Sequence, residues 1–562
     1  MGKLNAALYS LSACEVSSAA LARVDQERLR LAAEVQENLF PHVIGKAMVR
    51  PGTTHLGTSA SNAKARYLPF IRSPSDTALI EMTASLMRVW IADALLTRAS
   101  VTSTVANSGF ATASATVTIS NGTPGVVTWT AHGIAANQPV AFTTTADIPD
   151  GIEASTTYYV KTVLSVDTFT VSATAGGAEI NTTTAGSGVH TGYHGWTPTL
   201  SAVGATAAIT GGALELQAAA RGASVYAEQA VTTSTSGTEH ALRVTITRGP
   251  VQFRVGSTSG GSDYIADTTL GTGVHSLAFT PSGTYYIRFT VRTDRTAVID
   301  SVAIESAGTV TFTSPWLEAD LPLVRYVQSI DVVFLACAGY QQRKIERRGT
   351  TGRSWSLVLY ESDDGPFVTA DTNKVRVSAS ASYGVVTLTA TAGIFSSSHV
   401  GSLMRLSPAG FNATYQLAGE DVFTDPVRVY GAGTDGDVVV TTTGTWVGTG
   451  RIQRSLDSAT SGFMDAAPAS GSPWQFTINL TSQTFSNNYD NVAHWFRVGF
   501  KAGQYTSGLI NVTATYGGSG RAGIYRIVAY SSATSVTAQV ISAPGSIAST
   551  DDWQFGAWSD AV

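Results

Sequence analysis

The side chains best suited to covalent chemistry are few and scattered. Nine histidines are spread over 562 residues. None falls in an HExxH pair or beside Cys and Asp at metal-ligand spacing. His132 follows a strand-like run and precedes Gly133, where a turn or surface histidine is expected, and His399 after a serine run reads the same way. No GxSxG nucleophile elbow occurs, and no GxxxxGK[ST] phosphate loop. The carboxylate pairs Asp363–Asp364 and Asp551–Asp552 sit beside turn residues. A glycosidase needs two carboxylates about 5–9 Å apart across a cleft, and neighbouring acids at turns are read as solvated. No catalytic residue, metal or cofactor is therefore expected. Aromatic residues are the other candidates. Tyr226, Tyr264, Tyr285 and Tyr286 could form a sugar-binding face, against the default of core or interface roles.

The elements that would position these residues are strands. Only 13% of the chain is charged, against roughly 25% in an average soluble domain, and 54 residues are Gly. Thr–Val runs between Gly, Asn and Asp turns predict a mainly β protein of antiparallel sandwich and barrel modules. The one helix expected covers about 16–40, a run of strong helix formers ending before Pro41. No uncharged stretch reaches the roughly 18 apolar residues of a membrane-crossing helix. The N-terminus lacks the apolar run of a signal peptide. Cys14 and Cys337 are too far apart to suggest a disulfide framework. A formal charge of −5 argues against a protein that coats nucleic acid, though not against a wall that DNA slides past.

Composition divides the chain into four parts. Residues 1–110 mix the helix with short strands at 65–70, 77–82 and 85–93. From 111 to 310 there are only eight Lys or Arg. That stretch reads as a small β domain (111–196) followed by a jelly-roll or sandwich (197–305), in which Leu242, Val244, Ile246 and Ile287, Phe289, Val291 alternate inward. Charge returns in 306–562, which divides further near 370. Its basic run at 340–349 is read as a solvated surface, with an acidic partner or DNA phosphates as the alternative.

Several blocks in order carry a family resemblance. They begin with Asp25 and Asn38 around the first helix, then Arg50, Pro51 and Gly52 in RPGT, RYLPF at 66–70 and MRVW at 87–90. The segment 313–349 follows, with Glu318, Asp320, Leu321, Arg325, Gln328, Ser329, Asp331, Lys344 and Arg347. Next come SWSL (354–357), DGPF (364–367) and GVVTLTA (384–390) with Phe395, His399, Gly401 and Arg405. The last block has Trp553 and Trp558 in WQFGAWSD. This pattern resembles the tail nozzle proteins of short-tailed phages, also called tail tubular protein B or stabilisation proteins. Gln342 departs from it, where the family has Pro. The 122–195 unit resembles a small β module of phage structural proteins, and 197–305 resembles a carbohydrate-binding jelly roll inserted as decoration.

The resemblance implies a non-enzymatic virion subunit, assembled in the host cytoplasm into a homohexameric ring below the portal and adaptor. Double-stranded DNA would pass through it without sequence-specific binding, and tail fibres or a needle would attach outside. Family members carry more chain after the GAWS motif, which implies either a shorter variant or a separate protein supplying the remaining half. Three other readings stay open: a glycan-binding surface protein, a tail fibre and an enzyme. A surface protein would carry a signal peptide, a fibre a fixed repeat, and an enzyme a converging polar pocket.

Overall fold

The computed structural model describes residues 15–557 apart from 22–24, 27–28, 30–31, 43–45, 202–204, 219–222, 234, 293–294, 370–373, 409–410, 430–436, 469–470, 487–493 and 518–521. Strands dominate it, as the composition predicts. Two units divide at residue 62.

In the first unit, the expected helix over 16–40 is not formed across the described residues. Helix covers only Ser18–Leu21, Glu15 bridges Ala33, and a strand already begins at Leu39. The residues around Ser18 are mostly exposed. Helix propensity without a buried stripe is too weak to hold a long helix. Leu39–Pro41 pairs with Ala47–Val49 instead.

The second unit opens with a sheet of Arg66–Ser73, Asp76–Thr83 and Leu86–Ile91, closed on its far side by Thr311–Thr313 from more than two hundred residues later. Leu68 and Phe70 point inward while Tyr67 and Pro69, alternating with them, face out. Arg66–Ser73 is the edge strand, where a missing proline N–H costs no ladder bond. The chain leaves this sheet along Thr97–Arg98 and returns along Gly308–Thr309, and these two short strands pair with each other. Everything between them is thus an insertion through one neck.

The insertion holds two bodies. Six strands between Ala115 and His194 close a barrel around Trp129, Phe142, Val160 and Phe169. Gly192 is required there, because a Cβ on it would stand 2.6 Å from the Trp129 ring. Next is a two-sheet sandwich whose core includes Trp196, Leu242, Phe253, Tyr285 and Phe289. One of its sheets has five strands. The other does not stop at the sandwich: Gly273–Phe279 pairs with Ser354–Leu359, giving nine strands that run on to Arg325–Ser329. A self-contained decorating module is therefore not what forms, since the sandwich shares a sheet with the segment after it.

Residues 377–555 build one further core from two six-stranded sheets and one four-stranded sheet, centred on Phe411, Val440, Ile452, Val512 and Tyr525. Among long apolar runs, 126–134 gives only the strand Val126–Thr128, and 474–480 only Gln475–Phe476.

Candidate functional site

Most residues singled out by resemblance hold the scaffold together. The Gln328 side chain accepts from Ile71 N (3.0 Å) and donates to Ile71 O (2.9 Å), tying the last strand of the nine-stranded sheet to the edge of the first sheet. Arg347 is buried between Asp76 (2.8 Å) and Asp331 (3.1 Å), and Asp331 also meets Arg72. Asp320 accepts from the Tyr340 hydroxyl (2.6 Å) and Leu317 N, which lowers its pKa. Beside it, Arg66 donates to Leu321 O at 2.6 Å. Glu318 makes an exposed pair with Lys64, while Arg325 lies exposed on the edge strand. Arg405 bonds Gln554 and lies over the Phe367 ring at 4.7 Å. Trp553 is buried and donates to Val375 O. Within the first unit, Arg50 donates to Asn38 Oδ1 at 2.7 Å, and Pro51 and Gly52 are exposed. Trp558 lies outside the described residues.

Charges that sequence reasoning passed over hold the neck. The Arg98 guanidinium, its side chain 3% exposed, bonds Glu305 (2.8 Å), Glu239 (3.1 Å), Ser276 Oγ and Arg353 O. Arg243 joins from the other side of Glu305, and Arg353 donates to Thr97 O. In a chain with so few charges, an Arg at a composition boundary was the available signal.

The four tyrosines separate. Tyr226 and Tyr286 stand on the outer face of the five-stranded sheet, where Arg288 lies 4.0 Å over the Tyr226 ring and bonds Glu228 at 2.6 Å. Tyr264 bonds Ser282 through its hydroxyl and packs near Phe279. Tyr285 is corrected: it is fully buried against Phe279 and His240, with its hydroxyl unpaired and its pKa raised by burial, and cannot touch a glycan. It shares the inward parity of Ile287 and Phe289. His132 is also corrected, from surface to interior. It is buried beside Phe169, accepting from Ile134 N and bonding Ser165 O. His399 is half-buried against the Phe555 ring, 4.4 Å away, and caps the turn that it ends.

The basic run at 340–349 is not simply a solvated face. It forms the strand Tyr340–Arg348 inside the nine-stranded sheet. Ile345 and Arg347 turn inward, while Lys344, Glu346 and Arg348 line a cavity of about 670 Å³ on the other face. Glu215, Arg248 and Val298 form more of its wall, and register sets Glu215 and Arg248 on either side of Val298 across three adjacent strands. The facing wall comes from the C-terminal core: Gly401, Arg526, Ile527 and Gln539. Gly401, at φ +95°, accepts from Arg526 through its carbonyl. Arg526 also reaches Ser362 O (2.6 Å) and lies near Asp363 (3.6 Å) and Glu361 (3.9 Å). Burial lowers its pKa against the pull of those two acids.

A second, shallower groove of about 350 Å³ lies along the open edge of the nine-stranded sheet, lined by Arg325, Tyr326, Val327, Phe334, Arg343 and Tyr360. Among the described residues, no group of three or more His, Cys, Asp or Glu could hold a metal ion, and no helix is long and apolar enough to cross a membrane.

No family model matches this chain, and no curated protein matches it. Among solved structures it is similar to the tandem N-terminal CBM22 domains of Paenibacillus barcinonensis Xyn10C, at 9% identity over 64% of this chain and 92% of that one, with a TM-score of 0.14. It is similar to an IolB-like protein from Salmonella typhimurium, at 9% identity over 54% and 83%, with a TM-score of 0.12. It is also similar to the M60 catalytic domain with CBM51-1 and CBM51-2 of Clostridium perfringens ZmpB, at 8% identity over 82% and 55%, with a TM-score of 0.14. At these TM-scores the likenesses carry no argument about this chain.

Proposed function

We propose that this chain is a non-enzymatic structural subunit of a phage tail nozzle, one of a cyclic, expectedly hexameric, ring through which DNA leaves the virion. The observation that carries this reading is the closure of one scaffold across the insertion. Blocks that resemble the family on either side of it meet in Gln328 against Ile71, Arg347 against Asp76, and Arg66 against Leu321. A framework interrupted by two inserted β bodies through one neck is what the resemblance predicts. The chain's few cations also suit a wall that must not grip phosphate. The ring would form by a heterologous contact that closes on itself, with portal or adaptor above, fibres or needle outside, and a further protein completing each subunit where one is needed. Native mass spectrometry of the purified chain tests the assembly: closed rings of one stoichiometry are expected, and a monomer at every concentration contradicts the reading.

A second reading, glycan binding, is favoured by one observation, the solvent-facing Tyr226 and Tyr286 beside Arg288 on the sandwich. Glycan-array binding lost in Tyr226→Ala would support it.

A further inference from the structure

The charges in the large cavity do not balance within it. Asp363 is met by Arg295 at 3.0 Å and by Arg526, and Glu361 by Arg526 and the Thr272 hydroxyl. Glu346 alone serves both Lys344 (2.8 Å) and Arg348, and Arg348 spends its other donors on Thr268 and Ser356. Arg248 is left over. Among the described residues it makes no hydrogen bond and no ion pair. The Glu215 carboxylate acts on it only through its field, while burial lowers its pKa. Arg248 is half-buried, so its guanidinium has lost part of its hydration with no protein partner to replace it, and an anion that forks onto it offsets that loss.

We propose that the cavity binds a small polar anion, with a carboxylate or phosphate group against Arg248 and the remaining polar part among Glu215, Lys344, Thr272 and Gln539. Its volume, about 670 Å³, falls in the roughly 300–1,000 Å³ range of small-molecule sites, larger than a bare ion needs. Among the described residues its lining contains no aromatic ring, so a neutral sugar has no platform to stack on there. The two walls come from the nine-stranded sheet and the C-terminal core, so an occupant touches both. Such a ligand would stiffen that joint. This proposal is independent of the nozzle reading, since it rests on the cavity alone.

The test is isothermal titration of the full chain with glucuronate, inorganic phosphate and glucose, repeated on Arg248→Gln and Glu215→Gln. Saturable binding of glucuronate or phosphate is expected, with no heat from glucose. Arg248→Gln should weaken it about tenfold or more. Glu215→Gln, which removes an opposing charge, should tighten it. Glucuronate without phosphate identifies a carboxylated ligand, and phosphate without glucuronate a phosphorylated one; either supports the site. No saturable binding by both anions, equal binding of glucose, or affinity unchanged in both variants overturns it. The opposite signs expected of the two variants separate a binding role from a merely structural one. Circular dichroism confirms that each variant is folded, and if Arg248→Gln is not, the Glu215→Gln arm decides alone.

Discussion

Arg347 carries its charge into the seam between the first sheet and the nine-stranded sheet, with Asp76 and Asp331 on either side. Arg347→Ala would leave two carboxylates facing each other there. Both are about a third exposed, so we expect a loss of about 2–3 kcal/mol, below the about 3–5 kcal/mol of a fully buried pair, read as a lower urea midpoint. His275 predicts a pH dependence. Its Nε2 donates to Gly271 O and its Nδ1 accepts from Ser356 Oγ, which fixes a neutral ring, and burial lowers its pKa to about 4. His194, buried in the barrel near His132, is likewise lowered to about 4. A histidine whose folded pKa lies below the unfolded value binds more protons when unfolded. Its stabilisation is therefore complete above the unfolded value and is lost as pH falls toward about 4. For His275 alone this amounts to about 3 kcal/mol. Urea midpoints should fall between pH 7 and 4.5, less steeply in His275→Gln. A parallel fall in both proteins would remove His275 from the account. Parity made part of this legible. Ile287, Phe289 and Val291 were read inward from sequence, and the same alternation would have placed Tyr285 with them. The partners of Arg98 and Arg526 were not legible, because they come from distant segments.

At the level of elements, alternation placed strands such as His240–Arg248 and Tyr285–Val291, whose inward and outward positions alternate over much of their length. It failed where apolar content was not matched by pairing partners. The run at 126–134 turns away after Thr128, and Ala131 takes a positive φ. In the 16–40 run, rich in helix formers, no described residue is buried. Alternation also could not show that the sandwich sheet continues into the following segment, because strand order is set by register between distant strands. The junction offers a direct check. Gly273 has φ +144°, and a Cβ on it would stand 2.4 Å from Leu357 O. Gly273→Ala is expected to cost about 2 kcal/mol or more and to raise amide exchange in both Gly273–Phe279 and Ser354–Leu359. Exchange confined to the sandwich strand would mean that the two bodies are not coupled. On the nozzle reading, the open edge at Arg325–Ser329, with Val327 64% and the neighbouring Ile330 74% exposed, is a contact between subunits. Val327→Lys should then break the ring while leaving the subunit's melting temperature nearly unchanged. Rings that persist in this variant place the contact elsewhere.

For the whole molecule, the described scaffold is one framework into which two β bodies are set through a neck sealed by Arg98, Glu239 and Glu305. The barrel lies outside the sheet that carries the seam at Gln328 and Arg347, whereas the sandwich shares that sheet. The arrangement gives the proposed nozzle subunit outer surfaces free to meet fibres, sugars or neighbours. On the nozzle reading, the measurement that bears most directly on it is cryo-electron microscopy of intact virions of a phage that encodes this chain, at a resolution that traces side chains. The account predicts this chain as a closed ring on the tail axis below the portal. Virions that lack the chain on that axis, or carry it only as an outer trimer or loose decoration, would contradict it.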